Sequence, residues 1–293
     1  MTGGTDTGLV GLAALSAAQA AAVGELADRC NARDGLDLKL AIEVGEAPDG
    51  APPRAFLAYT AGALVGYAAL DHGGGHEAEL CGMVHPAHRR RGIGRALLGA
   101  ARAACPALGI ADLLLICEAA SVDGLRFTGA VAAPARFAEH HMECAAALAG
   151  APAFDTPRLD IRPAAQGDVD ALIHILVGAF GRLEARERER VEGALAAGRS
   201  RYYLARLAGV PLGAAHVIPM GARTGIYGFG VDPAHQGRGI GRAFLSQLMA
   251  LLGAAGATRF ALEVETTNAA AQAVYRVCGF AITTTYGYYP VAL

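Results

Sequence analysis

Two short segments, residues 89–94 and 236–241, place closely spaced glycines beside arginine or glutamine. Glycine lets a backbone turn tightly and approach a ligand closely. Each segment lies between a strand-like run and an amphipathic, helix-like run, and the start of a helix presents free N–H groups and a positive dipole. These residue types at this spacing therefore predict two sites for a pyrophosphate group, although a turn without a ligand has the same local pattern.

Two familiar nucleotide sites do not fit these segments. A dinucleotide-binding turn needs a third glycine, and residues 97 and 244 are leucine and phenylalanine. The sequence also lacks the Gly-x-x-x-x-Gly-Lys-Ser/Thr pattern of a phosphate-binding loop in NTPases. The sequence therefore argues against dinucleotide-binding and NTPase sites.

The two segments belong to an internal repeat. Residues 85–98 return as residues 232–245 at an offset of 147, with 10 of 14 positions identical. The offset holds without a gap well outside that window. We therefore expect two tandem domains, residues 1–147 and 157–293, with the Ala/Gly/Pro-rich stretch 145–157 as the seam.

Each copy has the same predicted order of elements: a helix, a hairpin, a third strand, the glycine-rich turn, an amphipathic helix and a further strand. Ser16 and Gln19 form a capping-box pattern before the first helix, and Asp168 heads its counterpart. Strand, turn, helix and strand make a βαβ unit joined to an antiparallel hairpin. The fold class is therefore α/β, with a mixed central sheet and flanking helices built twice.

The turns resemble the acyl-CoA-binding motif of the GNAT superfamily of N-acetyltransferases. The second copy adds Asn268, Tyr275, Gly279 and Phe280 at the spacing of a later GNAT motif. The resemblance covers nearly the whole chain and implies tandem GNAT domains that use acetyl-CoA without a metal. It implies cofactor contacts from Phe229, Gly230, Val231, Gln236, Gly237, Arg238, Gly239, Ile240, Gly241, Arg242 and Asn268, and in copy one from Val84, Arg89, Arg90, Arg91, Gly92, Ile93, Gly94 and Arg95.

The same resemblance places the catalytic residues in the second copy. Tyr275 stands where the family has its general acid, and Glu263 where some relatives have a carboxylate base. A buried helix tyrosine and a solvated strand carboxylate are the structural alternatives for these two side chains. At an offset of 147, copy one has Thr128 and Ile116 instead, so we expect it to be catalytically degenerate.

Composition sets limits on the class of protein. The 25 basic and 27 acidic residues give a net charge of −2, which argues against binding nucleic acid or an anionic membrane by bulk charge. Six cysteines without a Cys-x-x-Cys pair indicate reduced thiols and no metal site. The apolar stretch 8–23 lacks the basic start of a signal peptide and the length of a membrane span, so we expect a cytoplasmic protein.

The sequence thus predicts an N-acetyltransferase in which a primary amine attacks the acetyl-CoA thioester directly, with the active site in residues 157–293. The acceptor is a small-molecule or peptide amine, and mycothiol synthases share the tandem build and length. A non-catalytic acyl-CoA sensor or scaffold is the alternative from another class. Both a monomer and a homodimer stay open.

Overall fold

The computed structural model describes residues 7–72, 75–145, 157–198 and 200–293. Most of the predicted seam, residues 146–156, lies outside these ranges. The chain forms two compact units. Unit 1 comprises the chain up to Ala138 together with Thr284–Leu293, and unit 2 comprises Glu139–Thr283.

Both copies follow the predicted order of elements, with extra strands at their ends. The first contains β1 (Thr7–Leu12), α1 (Ala17–Asp34), β2 (Ala55–Thr60), β3 (Ala63–Asp71), β4 (Glu77–Val84), α2 (Ile93–Ala104), β5 (Asp112–Glu118), α3 (Val122–Val131) and β6 (Phe137–Ala145). The second contains β7 (Asp160–Pro163), α4 (Val169–Phe180), α5 (Glu184–Ala197), β8 (Arg201–Leu207), β9 (Val210–Met220), β10 (Arg223–Val231), α6 (Ile240–Ala254), β11 (Arg259–Glu265), α7 (Ala269–Val277) and β12 (Ala281–Val291).

Local sequence signals account for several of these boundaries. The Ser16 hydroxyl accepts from the Gln19 amide at 3.2 Å, and the Gln19 side chain accepts from the Ser16 amide at 2.8 Å, which confirms the capping box. Both hairpins turn through an Ala-Gly pair in the left-handed region, with φ of 49° and 80° at Ala61 and Gly62. Such a pair suits the tight turn of a hairpin.

The sheet of each unit has one parallel pair of strands at its centre. In unit 1 the strand order is β1-β2-β3-β4-β5-β12, and in unit 2 it is β7-β8-β9-β10-β11-β6. The parallel pairs are β4 with β5 and β10 with β11. Because α2 and α6 connect these pairs, the glycine-rich turns lie at the carboxyl ends of β4 and β10.

The last strands of the two copies are exchanged. Within unit 2, β6 pairs antiparallel with β11 and sets Met142 opposite Leu262, while within unit 1, β12 pairs with β5 and sets Tyr289 opposite Leu115. The compact units therefore differ from the domains 1–147 and 157–293 defined by the repeat. Sequence similarity between the copies could not reveal this, because either sheet offers a last strand the same kind of edge.

Helices cover both faces of each sheet. In unit 1, α1 and α2 contribute to separate buried clusters, around Leu26 and around Leu97. In unit 2, α4 and α6 do the same, around Leu172 and around Phe244. All six cysteines are free and buried. Among the described residues, none of the helices is long and apolar enough to cross a membrane.

Candidate active site

Strand β10 carries a bulge just before the second glycine-rich turn. Its register with β9 shifts between Tyr227 and Gly230, where one extra residue stands on β10. Gly228 has a φ of 49°, a left-handed conformation that favours glycine. Strand β4 has Cys81 at the equivalent position and pairs with β3 in continuous register from Val84 to Glu79. The bulge therefore belongs to the second copy, and Gly228 is the local reason.

Strands β10 and β11 also diverge at this point. Their parallel ladder joins Thr224 to Phe260 and Gly225 to Ala261 and then ends. Phe229 and Val231, to which the family resemblance assigns cofactor contacts, lie beyond the paired residues. A bulge beside diverging strands leaves backbone N–H groups outside the ladder, where they can donate to a ligand. This is the geometry needed to polarise a carbonyl group.

The second glycine-rich turn leads directly into α6. Gly237 and Gly239 have φ values of 72° and 74°, and Gly239 is the N-cap of the helix. An added Cβ would meet nothing within 4 Å at Gly237, and at Gly239 only the Arg242 guanidinium at 4.0 Å. The turn is therefore open, exposed and pre-shaped, as an anion cradle at a helix N-terminus must be.

The side chain of the first residue in each glycine-rich turn is hydrogen-bonded to the end of the preceding strand. The Gln236 amide donates to the Val231 carbonyl at 2.9 Å, and Arg89 Nε donates to the Val84 carbonyl at 3.1 Å. The Arg89 guanidinium also pairs with Asp34 at 2.6 Å. These side chains tie the turn to the end of the preceding strand. Direct contact between them and a cofactor stays a prediction.

Tyr275 lies beside the bulge, within a group of aromatic rings. Its ring centre is 6.2 Å from that of Phe229 and 6.1 Å from that of Phe280, and Phe229 also stacks on Phe244 at 5.1 Å. Tyr275 is 7% exposed, and burial raises the pKa of its hydroxyl to about 12. The structure thus brings together Tyr275 and Phe229, two residues that the family resemblance assigns to the site.

Glu263 faces away from Tyr275. Leu262 and Val264 pack in the same core as Tyr275, so strand alternation directs Glu263 to the opposite face of β11. Its carboxylate lies 3.8 Å from the His141 imidazole, on the exchanged strand β6. The two proposed proton-transfer groups therefore flank β11 from its two faces.

His141 is a candidate site residue that the sequence did not indicate. It is 8% exposed and lies 3.5 Å from Glu143, which also pairs with Arg223 at 2.9 Å. Desolvation is the largest single influence on the pKa of His141 and lowers it, but Glu263 and Glu143 together outweigh it and raise the pKa. The strand exchange brings His141 to Glu263, and no signal in either repeat predicts that pairing.

Asn268 has a structural role that its motif does not reveal. It is the N-cap of α7, and its side-chain oxygen accepts from the Ala271 amide at 3.0 Å. Ser121 caps α3 in the same way, accepting from Gly124 at 3.1 Å. The position therefore supports a helix start in both copies, and cofactor contact by Asn268 stays a prediction.

A cavity lies beside the first glycine-rich turn, in unit 1. It has a volume of about 460 Å³ and is lined by the first glycine-rich turn together with apolar side chains from β4, β5 and α2. The sequence placed the chemistry in the second copy and gave no reason to expect this cavity. Among the described residues, no cluster of three or more His, Cys, Asp or Glu side chains could hold a metal ion.

Comparison with known proteins is consistent with this geometry. The model of the acetyltransferase (GNAT) family matches residues 22–128 and 169–280. A mycothiol acetyltransferase from Beutenbergia cavernae is 31% identical over 278 residues, covering 87% of this chain and 90% of that protein. The N-alpha-acetyltransferase RimI of Mycobacterium tuberculosis is 41% identical over 90 residues, covering 29% and 55%.

Among solved structures, a tandem GNAT protein from the clavulanic acid biosynthesis pathway superposes with a TM-score of 0.71 at 17% identity. That superposition covers 98% of both chains, so the likeness in fold extends over both units. The family match covers both copies of the repeat, each with its glycine-rich turn at the end of a central strand. The chain therefore belongs to the GNAT family of acetyltransferases and carries two copies of its domain.

Proposed function

We propose that unit 2 transfers an acetyl group from acetyl-CoA to a primary amine by direct attack on the thioester. The observation that carries this proposal is the bulge at Tyr227–Gly230, which precedes the open turn 236–241 in the chain and lies beside the buried Tyr275. Unit 1 has a turn of the same kind but neither the bulge nor the tyrosine. The proposal therefore assigns transfer to unit 2.

The residues present fit the diphosphate of CoA. The N-terminus of α6 supplies backbone N–H groups, and the glycines of the turn leave room for the phosphates. Arg242, in the first turn of α6, adds a positive charge. The diverging ends of β10 and β11 would admit the pantetheine arm.

Glu263 and Tyr275, which lie on opposite faces of β11, have different roles in the proposed reaction. Bound acetyl-CoA supplies an activated acyl group in the form of a thioester. The backbone N–H groups of the bulge would donate to the carbonyl oxygen as negative charge develops on it. Glu263 would accept a proton from the attacking amine through water, and the Tyr275 hydroxyl would donate a proton to the departing thiolate. The amine nitrogen gains the acetyl group as the C–S bond breaks.

The named relatives favour one acceptor. Matches that span most of both chains are mycothiol acetyltransferases, so we propose the amine of a cysteinyl glycan, the acceptor of mycothiol synthases. The RimI match covers only 29% of this chain, which gives a peptide N-terminus less support.

Release of free CoA from acetyl-CoA tests the proposal with a cysteinyl glycan, a short peptide and a polyamine as acceptors. Gly239→Asp puts a carboxylate in the cradle of unit 2, and Gly92→Asp makes the matched change in unit 1. We expect rapid turnover with the glycan, a loss of at least about a hundredfold in Gly239→Asp and near-normal turnover in Gly92→Asp. Binding of acetyl-CoA without turnover of any acceptor would instead support the sensor alternative.

A further inference from the structure

The two units fill the space beside their cofactor turns differently. In unit 2, Phe229 stacks on Phe244 with ring centres 5.1 Å apart, and Tyr275 meets Phe229 edge-on with ring centres 6.2 Å apart. The residues 147 positions earlier, which line the unit 1 cavity, are Gly82, Leu97 and Thr128. Three aromatic side chains are thus replaced by smaller ones, and unit 1 has a cavity of about 460 Å³ at this place.

The cavity passes through the sheet of unit 1, between the diverging ends of β4 and β5. Leu97 belongs to the buried cluster on the α2 face, whereas Leu38 and Met83 belong to the cluster on the α1 face, and all three line the cavity. The ladder between β4 and β5 ends at Leu80 and Leu115. The flexible chain of a ligand that enters from the turn at residues 89–95 would therefore reach apolar surface on both faces of the sheet.

Residues 36–44, here named the cover segment, contribute Leu36, Leu38 and Lys39 to the lining of the cavity. The Asp37 amide donates to Glu118 at 2.9 Å, and the Tyr286 hydroxyl donates to the Asp37 carbonyl. Lys39 donates to the Tyr288 hydroxyl at 2.9 Å. These contacts hold the cover segment against β5 and β12.

Three of the charged side chains that line the cavity have contacts within unit 1. Glu118 also accepts from the Thr284 hydroxyl at 2.8 Å, Asp34 pairs with Arg89 at 2.6 Å, and Lys39 pairs with Glu79 at 3.3 Å. The charges of Asp34 and Lys39 are therefore offset by ion pairs within unit 1, whereas the Glu118 carboxylate accepts hydrogen bonds from neutral donors. Apolar side chains such as Leu36, Leu38 and Met83 remain to contact a ligand.

We infer that unit 1 binds, without transferring it, an acyl-CoA whose acyl chain is several carbons longer than acetyl. The turn 89–95 takes the diphosphate, and the chain occupies the cavity between Thr128 and the cover segment. Aromatic rings fill the matching space in unit 2, so that site favours acetyl. The inference shares with the proposed function only the assumption that the glycine-rich turns hold CoA.

Calorimetric titration of the full-length Gly239→Asp variant with acetyl-CoA and hexanoyl-CoA tests this inference at the unit 1 site. Burying one methylene group strengthens binding about fourfold. Because hexanoyl-CoA has several more methylene groups than acetyl-CoA, it is expected to bind about tenfold or more tightly than acetyl-CoA. Adding Thr128→Tyr introduces the side chain that unit 2 has at the equivalent position. This change should abolish the preference for hexanoyl-CoA. Val122→Tyr, at an exposed position of the same helix, is the matched control and should leave it unchanged.

Leu38→Asn provides a second variant, because Thr128 is buried and its replacement could impair folding. Asparagine on the half-buried cover segment should weaken hexanoyl-CoA binding at least fivefold more than acetyl-CoA binding. Equal affinity for the two esters in Gly239→Asp would overturn the inference, as would a preference that survives both variants. Acetyl transfer by the Gly92→Asp variant reports on the proposed function separately, since unit 2 is intact there.

Discussion

Tyr275 is buried among aromatic rings, and this burial determines which proton-transfer role its hydroxyl can take. With a pKa raised to about 12, the phenol stays protonated at neutral pH and is suited to donate a proton rather than accept one. We expect Tyr275→Phe to lower kcat about a hundredfold with little change in the Kd for acetyl-CoA. Steady-state kinetics and calorimetry measure these two quantities.

Tyr203→Phe is the control for that substitution, since Tyr203 is also buried in unit 2 but lies on β8. In the wild type, kcat should show no descending limb between pH 7 and 10 from Tyr275, because its proton is lost only near pH 12. A Tyr275→Phe enzyme with full kcat would contradict the assignment of the general acid.

His141 makes stability depend on pH. Its pKa is raised in the folded protein despite desolvation, because Glu263 and Glu143 favour the imidazolium. The stabilisation is therefore complete below the unfolded-state value of about 6.5 and is lost as pH rises through the folded-state value. We expect His141→Gln to abolish this pH-dependent loss of stability, as measured by urea unfolding at several pH values. An exposed histidine supplies the control, His174→Gln, and an unchanged pH dependence in His141→Gln would refute the prediction.

At the scale of elements, the bulge in β10 depends on one glycine. An added Cβ at Gly228 meets only Leu176 at 3.6 Å and His216 at 3.9 Å, so space is not the obstacle. The obstacle is the left-handed backbone conformation, which costs a residue with an ordinary side chain about 1–2 kcal/mol. We expect Gly228→Val to lose about that much unfolding free energy and to lower kcat, while Gly228→Asn keeps most of both. Thermal melting and CoA release test this, and an active, fully stable valine variant would show that the bulge is dispensable.

At the scale of the whole molecule, the exchanged strands determine which fragments can fold. A fragment of residues 157–293 lacks β6, the partner of β11, and carries Thr284–Val291 without β5. A fragment of residues 139–283 contains all of unit 2. We expect the second fragment to unfold cooperatively and the first to aggregate, because its sheet has an exposed apolar edge. Circular dichroism and gel filtration distinguish the two, and a well-folded 157–293 fragment would argue against the exchange.

Much of the fold follows from the sequence, because its signals are local. The strands Glu77–Val84 and Asp112–Glu118, the helix Ile93–Ala104 and the Ser16 cap arise from short patterns within one copy. The repeat also located both turns. Pairing between distant segments could not be predicted in this way, because no short pattern in β6 or β12 specifies which sheet edge it joins. The contact of His141 with Glu263 and the cavity of unit 1 depend on such pairings or on side-chain volumes in three dimensions.

The same exchange gives a reason for both copies of a duplicated gene segment to persist. Loss of the first copy would remove β6 from the sheet of the second, and loss of the tail would remove β12 from the sheet of the first. The sheet of each unit is thus completed by a strand from the other copy. The first copy, which has Thr128 where the second has Tyr275, is therefore needed for the sheet of unit 2 whichever ligand it binds itself.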